Sequence, residues 1–133
     1  MGIERKLEID GLAPIVGSAL SADARGSRTI YLSGQVGTLP DGTMAGDDLK
    51  SQAAQALRNI IVALDANDAT TTDIAKIVFY IVDWTPEKLG PLFEAAIEVF
   101  GDDMVVTAST LVGVAALFEP EWLIEIDATA VVD

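Results

Sequence analysis

The stretch near the C-terminal end of the chain, residues 122–130, constrains the fold more than any other. Its side chains alternate between two sets, one apolar and one mostly polar. The first set is Ile124, Ile126, Ala128 and Ala130, and the second is Leu123, Glu125, Asp127 and Thr129. Successive side chains of a β-strand point to opposite faces of its sheet. The sequence therefore predicts a strand whose apolar face lies under helices and whose other face, carrying Glu125, stays open.

The rest of the chain supplies two helices and further strands. Apolar residues recur at helical spacing from Leu49 to about Asn67, and a second helix is predicted from Pro91 to Phe100. Residues 11–26 have the composition of a loop. Strands are predicted at 3–9, 28–33, 74–82, 104–117 and 122–132, of which 74–82 is apolar on both faces. The order β-β-α-β-α-β-β predicts one α+β domain over residues 1–133, with two helices on one face of a mixed sheet.

The chain contains neither histidine nor cysteine. This absence excludes disulfides, a Ser-His-Asp or Cys-His nucleophilic site, and a zinc site built on imidazole or thiolate. Acid–base chemistry would have to come from Asp, Glu, Lys, Tyr or a held water. The acidic pairs at 102–103 and at 119 and 121 are interpreted as solvated loops, so neither a metal nor a cofactor is expected.

The net charge of −13 bears on the partners of the chain. Nucleic-acid affinity comes mostly from neutralising phosphates with Lys and Arg, so nucleic acid is not an expected partner. No apolar run reaches the length of a membrane span, and the simplest interpretation is a soluble, cytoplasmic protein. Apolar residues make up 50% of this small chain, which predicts that some are buried between subunits.

Several motifs, in order along the chain, then point to a known family. They are Ala13-Pro14, Ser33-Gly34-Gln35, Gln52…Gln55…Asn59, Lys76…Val82-Asp83, and Leu117 leading into Ile124-Glu125-Ile126. Together they resemble the RidA/YjgF family of imine and enamine deaminases, also called endoribonuclease L-PSP proteins. The resemblance implies a chorismate-mutase-like α+β fold. It also implies a homotrimer around a central barrel, with small-molecule clefts between adjacent subunits.

The resemblance also assigns roles to single residues. Glu125 matches the glutamate that holds a water against the C=N carbon, while Ser33 and Gly34 match the strand pair that lines the cleft. The arginine that grips the substrate carboxylate is missing, because Thr107-Ala108-Ser109 stands where the deaminating members have Pro-Ala-Arg. An aromatic of the opening loop falls at Leu20, and a helix asparagine falls at Gly90.

The loss of the arginine leaves two functions open. A serine cannot make a two-point, charge-assisted contact with a carboxylate, so the hydroxyls of Ser109 and Thr110 predict a ligand that is neutral, cationic or more apolar. One function is hydrolysis of a carboxylate-free imine, enamine or related molecule by a water held on Glu125. The alternative is a non-catalytic, ligand-binding or protein-protecting trimer in which Glu125 is a solvated or ligand-anchoring acid. Ribonuclease activity fits poorly, given the charge and the absence of histidine.

Overall fold

The computed structural model describes residues 2–104 and 106–133 of the chain. It contains six strands and two α-helices, with short 3₁₀ turns at 71–73, 86–88 and 101–103. In chain order the elements are β1 (Gly2–Lys6), β2 (Ser21–Arg25), β3 (Arg28–Gln35), α1 (Leu49–Asp65), β4 (Ile74–Val82), α2 (Leu89–Phe100), β5 (Ala108–Val114) and β6 (Ile124–Val132). None of the described helices is long and apolar enough to cross a membrane.

The main sheet has four strands in the order β3-β6-β4-β5. Strand β6 runs antiparallel to β3 and β4, whereas β4 and β5 are parallel, so the sheet is mixed. Parallel neighbours need a crossover connection, and α2 supplies it between β4 and β5. Helix α1 connects β3 to β4 in the same way and packs against α2 and β6. The predicted α+β architecture is confirmed.

Strand β6 divides its side chains between a dry face and an open face, as the alternation predicts. Its four helix-facing side chains are at most 2% exposed, and the alternate set is partly exposed. Strand β4 behaves the same way: Ile77 and Ile81 are buried under the helices, while Val78 and Tyr80 remain half-buried. The apolar residues on both faces of 74–82 predict a strand covered on both sides, but the described residues of one chain cover only its helix-facing side.

Helix α1 holds the core together through one buried amide as well as through apolar packing. Asp48 caps the helix by accepting a hydrogen bond from the Ser51 backbone N–H at 3.1 Å. The side chain of Gln52 is 1% exposed and makes three hydrogen bonds. Its Nε2 donates to the carbonyls of Gly46 and Glu121, and its Oε1 accepts from the N–H of Leu123, at 2.8 to 3.1 Å. Gln52 therefore fixes the entry of the chain into β6.

The segment predicted as a loop, residues 11–26, contains strand β2, so that prediction is wrong in part. Strand β2 pairs antiparallel with β1 in a separate two-stranded sheet. The guanidinium of Arg5 donates to the carbonyls of Thr72 and Ile74, both at 2.8 Å, and ties this sheet to the start of β4. The strand escaped prediction because its apolar side chains are only alanines. Strand β5 is also shorter than the predicted strand 104–117, since it spans Ala108–Val114 and residues 104, 106–107 and 115–117 lie outside it.

Candidate functional site

Glu125 and the Ser33-Gly34 pair come together on the open face of the sheet. Strand β3 pairs with β6, and the register shifts between Leu32 and Gln35, so that the chain bulges at Ser33 and Gly34. A Cβ atom at position 34 would collide with the carboxylate of Glu125. Only glycine at position 34 therefore lets this carboxylate lie against the backbone of β3.

Two further polar side chains share this face with Glu125. Tyr80 stands opposite Glu125 in the β4–β6 register, and Val78 stands opposite Asp127. The charge of Asp127 raises the pKa of the Tyr80 hydroxyl, and desolvation, a hydrogen bond with Asp127 and the charge of Glu125 add to this. The phenol therefore stays protonated at neutral pH and remains a hydrogen-bond donor. Tyr80 was missed from the sequence, since only the strand register places it beside Glu125.

Ser109 lies on the other face of the sheet. It is paired with Ile77 in the parallel β4–β5 register, and Ile77 is buried under the helices. The Ser109 hydroxyl donates to Oγ of Ser18, at 2.8 Å, in the loop that precedes β2. Ser18 is buried and was also missed from the sequence, where nothing distinguishes it from other loop serines.

Ser109 is one of the few polar side chains in a cavity of about 280 Å³ between α2, β5 and the loop 15–18. The polar lining is confined to hydroxyl side chains, and no charged residue is among the described lining residues. Ile15, Val16, Leu89 and Phe93 surround the cavity and are partly or largely exposed. The other apolar lining residues are Leu57, Ile77, Phe79, Leu92, Ala96, Phe100, Met104 and Leu111. The cavity thus suits a small and mostly apolar molecule.

The remaining predicted residues lie around these two places rather than in one site. Thr110 is paired with Val78, so its hydroxyl is on the open face, where it accepts a hydrogen bond from Nζ of Lys76 at 2.8 Å. Leu20 is half-buried beside β1, and its N–H donates to the carbonyl of Lys6 at 2.7 Å. Gly90 is exposed in the first turn of α2. Neither Leu20 nor Gly90 lines the cavity.

Comparison with known proteins agrees with this arrangement of elements. The sequence profile of the family described as Endoribonuclease L-PSP matches residues 12–132. The chain belongs to this family, the RidA/YjgF or Rid family. No curated protein sequence matches the chain significantly.

Solved structures of Rid proteins superimpose on nearly the whole chain. YyfB of the conserved Rid family from Yersinia pestis is 30% identical, with a TM-score of 0.87 over 99% of this chain and all of that one. Rv2704 from Mycobacterium tuberculosis, a YjgF/YER057c/UK114 family member, is 29% identical, with a TM-score of 0.65 over 88% of each chain. RidA from Psychrobacter, at 23% identity and a TM-score of 0.69, shares the fold over 97% of this chain.

Within the Rid fold of this chain, four of the seven predicted site residues lie in two separate places, one on each face of the sheet, and each place is at most a half-site. One half-site is Glu125 with Ser33 and Gly34 on the open face, and the other is Ser109 in the cavity on the helix side. No group of three or more acidic side chains capable of holding a metal occurs among residues 2–104 and 106–133. The roles assigned to these residues by resemblance stay predictions.

Proposed function

We propose that this Rid-family chain hydrolyses an imine, an enamine or a related small molecule that lacks a carboxylate. The observation that carries the proposal is Ser109 at the position of the family's arginine, in a cavity whose described lining side chains are apolar or hydroxyl-bearing. A carboxylate buried there would have no cation to balance its desolvation, which is costly for a charged group. An uncharged or cationic ligand avoids this cost.

The proposed chemistry uses Glu125 as the base that holds a water. The water oxygen bonds to the C=N carbon, the π electrons move to nitrogen, and Glu125 takes the proton that the water loses. Glu125 returns that proton to the nitrogen, which gives a carbinolamine. The hydroxyl proton of the carbinolamine then passes through Glu125 to the nitrogen as the C=O bond forms and the C–N bond breaks, and the products are a carbonyl compound and ammonia or an amine.

Both half-sites can contact one ligand only if they come from two chains, so the proposed hydrolysis requires an assembly, and the homotrimer that the family resemblance implies would supply it. The open face, with Val78, Tyr80 and Leu123 half-buried and Tyr31 80% exposed, offers apolar surface for such an assembly. We expect sedimentation equilibrium at micromolar concentration to give three times the 14.0 kDa chain mass. A stable monomer under those conditions would contradict the shared cleft.

The substrate preference tests the proposal directly. We expect carboxylate-free imines to be hydrolysed faster than 2-aminoacrylate-type imines, measured as release of ammonia or amine. Without the charge-assisted contact, the carboxylate-bearing substrate should lose about 1.5–3 kcal/mol of binding, roughly tenfold to a hundredfold. Ser109→Arg should shift the preference back toward the carboxylate. Turnover of 2-aminoacrylate at the rate of an arginine-bearing relative would show that the cavity accepts a carboxylate and would contradict the proposed substrate class.

A second function is favoured by one observation, the placement of Ser109 and Glu125 on opposite faces of the sheet. If assembly does not bring Glu125 of one chain to the Ser109 cavity of another, the cavity serves as a binding site without turnover. In that case a carboxylate-free imine would bind the cavity without being hydrolysed. Calorimetric titration of the unaltered protein with such an imine, together with an assay for released ammonia or amine, separates the two functions: binding with release supports hydrolysis, and binding without release supports the binding function.

A further inference from the structure

The hydroxyl groups of the cavity form a hydrogen-bonded chain whose direction is fixed by its last member. Ser18 Oγ donates to the backbone carbonyl of Ala19 at 3.0 Å, and a carbonyl oxygen can only accept. A serine hydroxyl carries a single proton, so Ser18 Oγ has none left for its other neighbour. Ser109 must therefore donate its own proton to Ser18, at 2.8 Å. The Ser109 Oγ therefore offers only lone pairs, and no proton, to a molecule in the cavity.

Thr107, the other buried hydroxyl of the cavity lining, is committed in the same way. Its Oγ1 lies 3.0 Å from the carbonyl of Ile74 and 2.9 Å from that of Ala75, and it donates its proton to them. Thr107 is 3% exposed, so water does not compete for this proton. Like Ser18 and Ser109, it has only acceptor capacity to spare.

No other described side chain supplies a donor to the cavity. The hydroxyl of Thr110 belongs to the opposite face, where it is bound by Lys76. All other lining side chains among the described residues are apolar. The side-chain polarity of this cavity is therefore one-sided: it accepts hydrogen bonds and donates none.

We propose that the ligand of the cavity is a hydrogen-bond donor with an apolar body, such as an N-unsubstituted imine or iminium, an amine, or an alcohol. This inference rests on the proposed function and narrows its substrate class. A donor group forms a hydrogen bond with a lone pair of Ser109. The oxygen of a ketone or carboxylate is itself an acceptor, so it faces the Ser109 oxygen without a hydrogen bond, and both oxygens are left unsatisfied. The net charge of −13 adds a long-range attraction for the cationic members of this class.

Four ring-sized probes with the same apolar body test the polarity: benzyl alcohol, benzylamine, acetophenone and benzoate, titrated by calorimetry at physiological salt. The decisive pair is benzyl alcohol and acetophenone, since both are uncharged and only the alcohol can donate. We expect the alcohol to bind about tenfold more tightly than the ketone, and benzylamine at least as tightly as the alcohol. Benzoate should bind most weakly.

Two single substitutions change the hydrogen-bonding capacity of the cavity: one adds a donor, and the other removes an acceptor. Ser18→Ala removes the acceptor of the Ser109 proton, which frees that proton to face the cavity. The variant should gain severalfold affinity for acetophenone, and the preference for the alcohol should shrink or reverse. Ser109→Ala should lower the affinity for benzyl alcohol and slightly raise the affinity for acetophenone, because the opposing lone pairs are removed. Ser27→Ala, the same change at an exposed position outside the cavity, serves as the matched control, and thermal unfolding verifies that each variant is folded.

Two results would overturn the inference. One is acetophenone or benzoate binding to the unaltered protein as tightly as benzyl alcohol, and the other is failure of all four probes to bind. If Ser18→Ala does not fold, the probe ranking and the Ser109→Ala variant still decide. None of the probes contains a C=N bond, so the ranking is independent of turnover. A donor preference without any imine hydrolysis would refute the proposed function and support this inference.

Discussion

Glu125→Gln is expected to lower the hydrolysis of a carboxylate-free imine by a hundredfold or more. General acid–base catalysis by a positioned side chain contributes about 10²–10⁴-fold, and glutamine keeps the shape of glutamate without being able to take a proton. Ligand affinity should change little, because the loss falls on proton transfer. The measurement is the turnover number at saturating imine, together with the unfolding temperature as a check on the fold.

The matched control for Glu125 is Asp127→Asn, which removes the other carboxylate of β6 on the same face. Asp127 is paired across the sheet with Val78 and has no glycine opening like the one that Gly34 provides for Glu125. We expect Asp127→Asn to keep most of the activity. If the two variants lose activity equally, or if Glu125→Gln has the turnover number of the unaltered protein, Glu125 is not the base. The binding function would then be favoured over hydrolysis.

Gln52→Leu is expected to have the largest effect on stability of any change to a polar side chain. Leucine has a similar volume but leaves two carbonyls and one N–H of the Gln52 contacts without partners. Each buried unsatisfied group costs about 1–3 kcal/mol, so a loss of roughly 3 kcal/mol or more of unfolding free energy follows. Urea titration measures it directly.

Gln55→Leu is the control for this prediction, on the same helix and one turn away. Gln55 is half-buried, and its Nε2 donates to the side chain of Asn59 rather than to the backbone. We expect the free energy of unfolding to fall by less than about 1 kcal/mol, since a single side-chain hydrogen bond is lost. Equal losses in the two variants would show that Gln52 does not fix the start of β6.

The sequence predicted the fold where hydrophobic patterns are long and strong. The alternation of residues 124–130 gave the correct dry and open faces of β6, and both helices begin and end within two residues of their predicted bounds. It failed at β2, where the local pattern is Ala22, Asp23, Ala24 and the strand is stabilised by its pairing with β1. Alanines bury too little apolar area to mark a strand.

The candidate site was predictable only in part, and for a related reason. Glu125 and Gly34 were matched by their motifs, and the structure places them in contact. The position of Ser109 on the helix side depends on its register with Ile77 in a neighbouring strand, which no local pattern encodes. The partnership of Ser109 and Ser18 spans 91 positions along the chain and is likewise invisible to periodicity.

The four-stranded sheet lies between Ser109 and the Glu125 of the same chain. This separation makes the proposed hydrolysis depend on the concentration of the protein. If the cleft is shared by two chains, as proposed, hydrolysis that needs both groups would fall steeply on dilution as the subunits separate. Binding of a donor molecule, which needs only one cavity, would persist per chain at the same dilution. Under that proposal, the amount of protein would set whether it only binds such molecules or also hydrolyses them.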